Sequence, residues 1–400
     1  MPTDQDLSRL AEECALRLEF HEPGFSVREI IPPATMLYDP MLGWVEDDES
    51  LVFCDIGGQR EPGWNPREGH GSIWRLHRDD RLESIVPAGA IGTGMIMFPM
   101  KAPASFGCHG GETFFLGQLK PGREGAHGTH AVYWLPPGWE IPEVFCVVPH
   151  AGSISGGISG ALCPAGWGEE GTDMEGVLFV VSLMNCTIYM VTPDRRIRPW
   201  LICDRENVGV QFMPRKVFQA RDSWGDLAGE LVVSGHPETS FETPASAGKK
   251  VSLEYWRVDD PKGSPRLTRI DRLDADRSAL ISETGLNASI APDGFGPFSG
   301  QLFACRPGSA NLASASRIEG ALPYDADIVR FDSSGRIHLF ASRLQSGAPD
   351  LAFQGNRMVI STVRKSYSTG EYHLPDGSLY EIVYTGGSPS RTPGERQSIR

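Results

Sequence analysis

This 400-residue sequence has no Cys-x-x-Cys pair, no cluster of Lys and Arg, and no stretch approaching about 18 uninterrupted apolar residues. Its eight cysteines are Cys14, Cys54, Cys108, Cys146, Cys163, Cys186, Cys203 and Cys305, several inside apolar runs such as Leu51 to Ile56. They read as reduced, mostly buried thiols, which excludes a zinc site and a disulfide frame. The net charge of -14, with no basic face against it, excludes nucleic acid and anionic membrane as partners and leaves small molecules or proteins. Met1 to Pro23 has no basic start followed by an apolar core, so a soluble, cytoplasmic protein is expected. The chain also lacks a Gly-x-Ser-x-Gly elbow, a P-loop, a Gly-x-Gly-x-x-Gly between strand and helix, and a His-Glu-x-x-His pair. Serine-triad hydrolases and nucleotide enzymes are thereby disfavoured.

At 40% hydrophobic and 22% charged the chain is globular, yet it is too long for one ordinary core, so it either splits into domains or repeats. Leu7, Leu10, Ala11, Cys14 and Leu18 recur at helical spacing and predict one amphipathic helix over Asp4 to Leu18. From Phe25 onward the pattern changes to short β runs, starting with Phe25 to Ile31 and Ala34 to Tyr38. Leu286 to Cys305 is the clearest unit: an apolar run closed by proline, a turn carrying an aromatic-Gly pair, and a second apolar run. The same order recurs at Thr35 to Asp55, Met95 to Phe115, Ser159 to Val180 and Val210 to Val233, and without the proline at Asp350 to Ile360. In each pair the glycine permits a tight corner while the ring caps the adjacent sheet.

A third strand follows each unit, at Ser72 to Leu76, Ala131 to Leu135, Thr187 to Val191, Ser252 to Val258, Asp327 to Phe331 and Ser378 to Tyr384. Five units have a fourth, at Leu82 to Val86, Glu143 to Val148, Ile197 to Ile202, Arg266 to Ile270 and Arg336 to Phe340. The sixth has none, whereas Phe25 to Ile31 is a strand without a unit, and the two complete each other. The expectation is an all-β, six-bladed β-propeller closed by an N-terminal strand, which distributes the core between blades. Its parts are a helical appendage at 1–24, the propeller at 25–385 and a disordered tail at 386–400, rich in Gly, Ser and Pro.

The recurring order, with Asn or Pro-Asp at the head of the innermost strand, resembles the six-bladed propellers of the gluconolactonase and senescence-marker-protein family, and more loosely the NHL-repeat and strictosidine-synthase-like propellers. The resemblance covers about residues 25 to 385 as architecture. It implies a divalent cation, calcium, at one mouth of the central channel, held by Asn, Asp and Glu at the starts of innermost strands and serving lactone or ester hydrolysis. Asn207, Asn287 and Asp350 fall at that place in blades four, five and six. The family's Glu near the first innermost strand is absent, Pro32 to Thr35 standing there instead.

Loops entering the innermost strands share one face with loops joining second to third strands, so their residues converge on the channel mouth. Asp204, Glu206 and Glu283 are candidates for a further carboxylate, and His150 and His236 for proton transfer. Arg306 and Arg364, each just past a second strand, suit a substrate carboxylate, with salt bridging to Asp350 or Glu283 as the plainer account. Asn207 and Asn287 also suit simple Asx turns, and His150 and His236 simple hydrogen-bonded loops. His70, His127 and His130 are expected to be solvated at the outer ends of loops. The expected function is a metal-dependent, lactonase- or esterase-like hydrolase of a small polar metabolite. Alternatives are a lyase or isomerase using the same metal site, a quinone-dependent sugar oxidoreductase, and a non-catalytic protein-binding propeller.

Overall fold

The strand β2 (Phe25–Ile31) finds its partner at the far end of the sequence, pairing antiparallel with β25 (Ser378–Tyr384). The computed structural model describes residues 3–57, 71–91, 96–120, 129–149, 162–168, 171–172, 174–182, 186–208, 212–219, 227, 229–237, 254–270, 288–306, 324–332, 336–345, 349–363 and 374–386. Six antiparallel sheets follow one another around a ring. Blade one is β3–β6 (Pro40–Val45, Leu51–Asp55, Ser72–Leu76, Leu82–Val86), and blade two is β7–β10 (Ile96–Lys101, Thr113–Lys120, Thr129–Leu135, Glu143–Val147). Blade three is β11–β14 (Leu162–Trp167, Leu178–Ser182, Thr187–Val191, Ile197–Ile202), and blade four is β15–β18 (Phe212–Gln219, Leu231–Pro237, Glu254–Asp259, Arg266–Arg269). Blade five is β19–β22 (Ala288–Ile290, Leu302–Arg306, Ala326–Phe331, Ile337–Leu344), widened by β1 (Glu19–Phe20) on its outer edge. Blade six is β23 (Asp350–Gln354), β24 (Arg357–Thr362) and β25, completed by β2. The chain is a six-bladed β-propeller closed by an N-terminal strand. The first strands β19, β23, β3 and β7 pack side by side along the axis, as do β11 and β15.

Ring closure draws on both faces of β2. Phe25 packs into the apolar cluster between blades five and six, against Phe295, Phe298, Phe340 and Tyr384, while Ile31 joins Leu42, Phe53, Val359 and Leu379 between blades six and one. A further apolar cluster runs through blades one to four. No helix among the described residues is long and apolar enough to cross a membrane.

The repeated proline plays a different part from the one its sequence position suggests. Pro99, Pro164 and Pro214 lie inside innermost strands, where pairing slips between Met97 and Met100, Pro164 and Gly166, and Pro214 and Lys216. Pro99 lies in the stretch left outside the ladder, whereas Pro164 and Pro214 pair with Val180 and Gly235 immediately before the unpaired Ala165 and Arg215, so each proline sits at a bulge, where a strand tolerates it. Pro292 does follow its strand, but Pro40 begins one, and residues 34–38 form a turn instead of the expected strand. The amides of Tyr38 and Asp39, which a strand would have given to a neighbour, both go to Asp55 Oδ1 at 3.0 and 2.8 Å.

The aromatic-Gly corner is as expected in blades two and five. Phe106 and Phe295 are fully buried, and each is followed by a glycine in the left-handed region, Gly107 at φ 57° and Gly296 at φ 60°. A Cβ on Gly107 would meet Pro193 of blade three, and one on Gly296 would meet the Tyr384 ring of blade six. The corner of one blade thus fits flush against the next. The Trp224-Gly225 pair lies outside the described residues.

The N-terminal helix α1 (Asp4–Glu13) opens with a capping box between Thr3 and Asp6. It stops short of the expected Leu18 because blade five captures its last carbonyls. Tyr324 Oη donates to Glu13 O and Ala15 O, and Gln345 Nε2 donates to Cys14 O.

Candidate functional site

Innermost strands begin, and second strands end, on one face of the ring, here called the upper face. Asp350, the first residue of β23, is 1% exposed, and its Oδ2 accepts a hydrogen bond from the Leu42 N–H of blade one at 3.3 Å. Its direct neighbour across the ladder is Ser361 of β24, also fully buried, whose Oγ makes no hydrogen bond within the described residues.

Asp55 ends β4 on the same face. Burial pushes its carboxyl up to about 6, against the pull of the Asp39, Tyr38 and Gly57 amides. Two cysteines report how near the acids are. The Cys54 thiol is pushed well up first by burial and then by the charges of Asp55, Asp39 and Asp350, and the Cys305 thiol by burial and then by Asp350 and Asp327. Asp350 thus ties blade six to blade one through Leu42, and Asp55, joined to the Asp39 amide, lies on the same upper face of blade one.

Arg306, at the end of β20, faces Asp327 directly across the ladder and donates to both of its oxygens, from Nε and Nη2, each at 2.5 Å. The partner is thus Asp327 rather than Asp350. Asp204, Glu206 and Asn207 gather around α2 (Arg205–Val208), the short helix between blades three and four. There Asn207 donates its backbone N–H and its Nδ2 to Asp204 Oδ1, both at 2.8 Å, and these bonds hold the Asp204 carboxyl below its usual range. Asn207 stands in α2, ahead of Phe212 where β15 begins, whereas Asp350 occupies a strand head itself. His236 contributes its backbone to β16, opposite Met213. His150, Glu283, Asn287 and Arg364 lie outside the described residues, as does His236 beyond its backbone. Among the described residues, no group of three or more His, Cys, Asp and Glu comes together as a metal cluster.

His130 differs from its expectation. It is 7% exposed in β9, opposite Gln118, rather than solvated at a loop end. No alternation through Thr129, His130, Ala131, Val132 and Tyr133 marks it; pairing with β8 extends β9 back over it. Ser361 was equally overlooked, because a serine inside an apolar run has no marker of its own.

No protein-family model matches the chain, and no curated protein matches its sequence. Among solved structures it is similar to the α-L-arabinofuranosidase of Fusarium graminearum in complex with arabinobiose, at 12% identity over 90% of this chain and 97% of that one, with a TM-score of 0.51. It is also similar to the α-L-arabinanase of Penicillium chrysogenum, at 12% identity over 93% and 100% of the two chains, TM-score 0.50. A gluconolactonase from Xanthomonas campestris aligns at 12% identity over 92% and 93%, TM-score 0.45. At such identities the likeness is one of fold.

Proposed function

We propose that this propeller is a hydrolase of lactonase or esterase type, acting in the cytoplasm on a small polar metabolite at the upper mouth of its channel. The observation that carries the reading is Asp350, a carboxylate buried at the head of an innermost strand, with the buried Asp55 of blade one on the same face. A buried carboxylate such as Asp350 carries a charge that a divalent cation or a proton compensates.

The donors named for a cation fit calcium in kind, since a carboxylate and amide carbonyls are hard oxygen ligands. Asp350 is the charged member of that set, with Asn287 and Asn207 as the proposed amide donors. Calcium, when bound, supplies Lewis acidity toward a substrate carbonyl. The chain's own residues do the rest. Asp350 anchors the polar end of the site, Leu42 N–H holds its carboxylate in place, and Asp55, with a carboxyl near 6, exchanges a proton close to neutral pH. His150, His236, Asp204, Glu206 and Glu283 remain proposed proton-transfer groups, and Arg364 a proposed substrate contact.

The same face supports glycoside hydrolysis as a second reading. That reaction pairs a protonated with an ionised carboxyl, and Asp55 is the group whose burial favours protonation. A substrate panel of lactones, esters and arabino-oligosaccharides separates the two readings, run with and without chelator beside elemental analysis of the purified protein. Hydrolysis of a lactone or ester that chelator abolishes, and that Asp350→Ala loses by at least about 100-fold while melting cooperatively, is the expected result. Turnover of the oligosaccharides alone favours the second reading. No stoichiometric ion after soaking in calcium, magnesium, manganese and zinc, with no turnover of any substrate, overturns both.

A further inference from the structure

A pair of cysteines closes the upper end of blade three. Cys186 immediately precedes β13 and Cys203 immediately follows β14. Thr187 and Ile202 are Cα partners, so the cysteines form the next rung of the ladder, and Cys203 N donates to Cys186 O at 2.7 Å. Directly opposed residues in an antiparallel pair have Cα atoms about 4.5–5.5 Å apart. That lies inside the span of about 4.4–6.8 Å that a disulfide bridges without backbone movement. Both residues are thiols here. We propose that Cys186 and Cys203 are a redox-modified pair that closes to an intramolecular disulfide when the protein meets a low-molecular-weight disulfide such as glutathione disulfide.

The two residues divide the labour. Cys186 is half-buried and therefore open to a small oxidant, whereas Cys203 is fully buried. Burial makes Cys203 the less accessible of the two and therefore the second to react. Cys186 as thiolate attacks one sulfur of glutathione disulfide and expels glutathione thiolate, leaving a mixed disulfide on the protein. Cys203 then gives up its proton and attacks the Cys186 sulfur, expelling the second glutathione. Two protein thiols are oxidised to one disulfide, and the two electrons and two protons leave on two molecules of glutathione.

Cys186 also adopts φ 48°, a left-handed backbone uncommon for a residue with a Cβ. The bond would tie the head of β13 to the residue just before Asp204 and α2, and so to the segment carrying Asn207 on the upper face. A reduced cytoplasm keeps such a pair open until oxidant rises, the usual behaviour of a sensing disulfide.

The test treats the folded, full-length protein with glutathione disulfide, quenches by alkylation and maps cysteine-containing peptides by mass spectrometry. Exposed Cys108 serves as the internal sign that oxidant reached the protein. The expected result is a peptide linking Cys186 to Cys203, lighter by two hydrogens than its parts, with both thiols lost together and restored by reductant. Cys203→Ala should instead stop at a glutathione adduct on Cys186, and Cys186→Ser should leave Cys203 unmodified. Glutathione retained on Cys186 of the unaltered protein with no link to Cys203, or modification of Cys108 alone, would overturn the proposal. The measurement on the unaltered protein decides the matter even if a variant fails to fold.

Discussion

Asp55 performs a structural task at an energetic cost. It takes the amides of Tyr38 and Asp39, which fixes the turn into β3, yet burial raises its carboxyl to about 6 from an ordinary 3.8. A group whose folded value exceeds its unfolded one stabilises most below the unfolded value, and that stability is lost as pH rises through the folded value. Asp55 thus lowers stability by about 2–3 kcal/mol on going from pH 4 to pH 8. Asp55→Asn keeps an acceptor for the two amides and removes the charge, so it should flatten this part of the pH profile in denaturant titrations and match or exceed the parent at pH 8. Asp55→Ala leaves both amides unanswered and should lie about 2–3 kcal/mol below Asp55→Asn at either pH. Arg306 presents a similar question of role. Its fork is satisfied by Asp327 with both side chains largely shielded, so Arg306→Ala and Asp327→Ala should show a coupling of about 1–3 kcal/mol in a double-mutant cycle. A coupling near zero would return Arg306 to the proposed substrate role.

At the level of elements, the corner between first and second strands is the repeated device. Gly107 and Gly296 hold the same left-handed angle after a fully buried phenylalanine, each pressed against the following blade. Gly111 is also left-handed, at φ 84°, but a Cβ there would meet nothing within 4 Å. Gly111→Ala should therefore cost only the backbone term, about 1–2 kcal/mol. Gly296→Ala adds a clash at 2.6 Å with the Tyr384 ring and should cost at least about 1 kcal/mol more, read as the difference between the two variants in thermal or denaturant unfolding. The comparison isolates blade-to-blade fit from the local angle. How far such corners could be anticipated depends on what they touch. The aromatic-Gly pairs of blades two and five were legible because a tight corner demands glycine whatever its neighbours, but in blade three Trp167 is the last residue of β11, and Gly168 is not left-handed. The prolines were misread, since whether a missing N–H ends a strand or sits in a bulge depends on the partner strand.

Across the whole molecule, the vulnerable joint is the seam where the chain's ends meet. On the lower face Asp80, from the turn between β5 and β6, accepts from Arg28 at 2.8 Å and from Arg357 at 2.7 Å. The same two arginines reach Glu381 at 2.7 and 2.8 Å, so β2, β24 and β25 are clasped to blade one by two cations and two carboxylates. Burial pulls Asp80 and Glu381 upward, but the arginines outweigh it and both carboxyls lie below their usual range. Groups depressed in this way stabilise above the unfolded value and lose that contribution as pH falls through the folded one, opposite in sign to Asp55. Acid should loosen this joint first, with hydrogen exchange in β2 rising below about pH 4 before exchange in blade three. Asp80→Asn should bring that exchange on at neutral pH; equal protection of β2 in variant and parent would show that the apolar contacts of Phe25 and Ile31 suffice alone. Deleting residues 1–34 is the limiting case and should expose the edge of β25 and cause aggregation.

Strand pattern, blade number and the closing role of β2 were determined by the sequence alone, because alternation, turn residues and repetition act within a few neighbouring positions. The boundaries of β2, β13, β14 and β25 match the reading from pattern. Burial of His130, the choice of Asp327 as partner of Arg306 and the contact of Asp350 with blade one were decided only by tertiary structure. The bond from Leu42 to Asp350 joins positions 308 residues apart, and no local pattern encodes it. It exists because ring closure, with β2 packed between its neighbours, brings the first and last blades side by side.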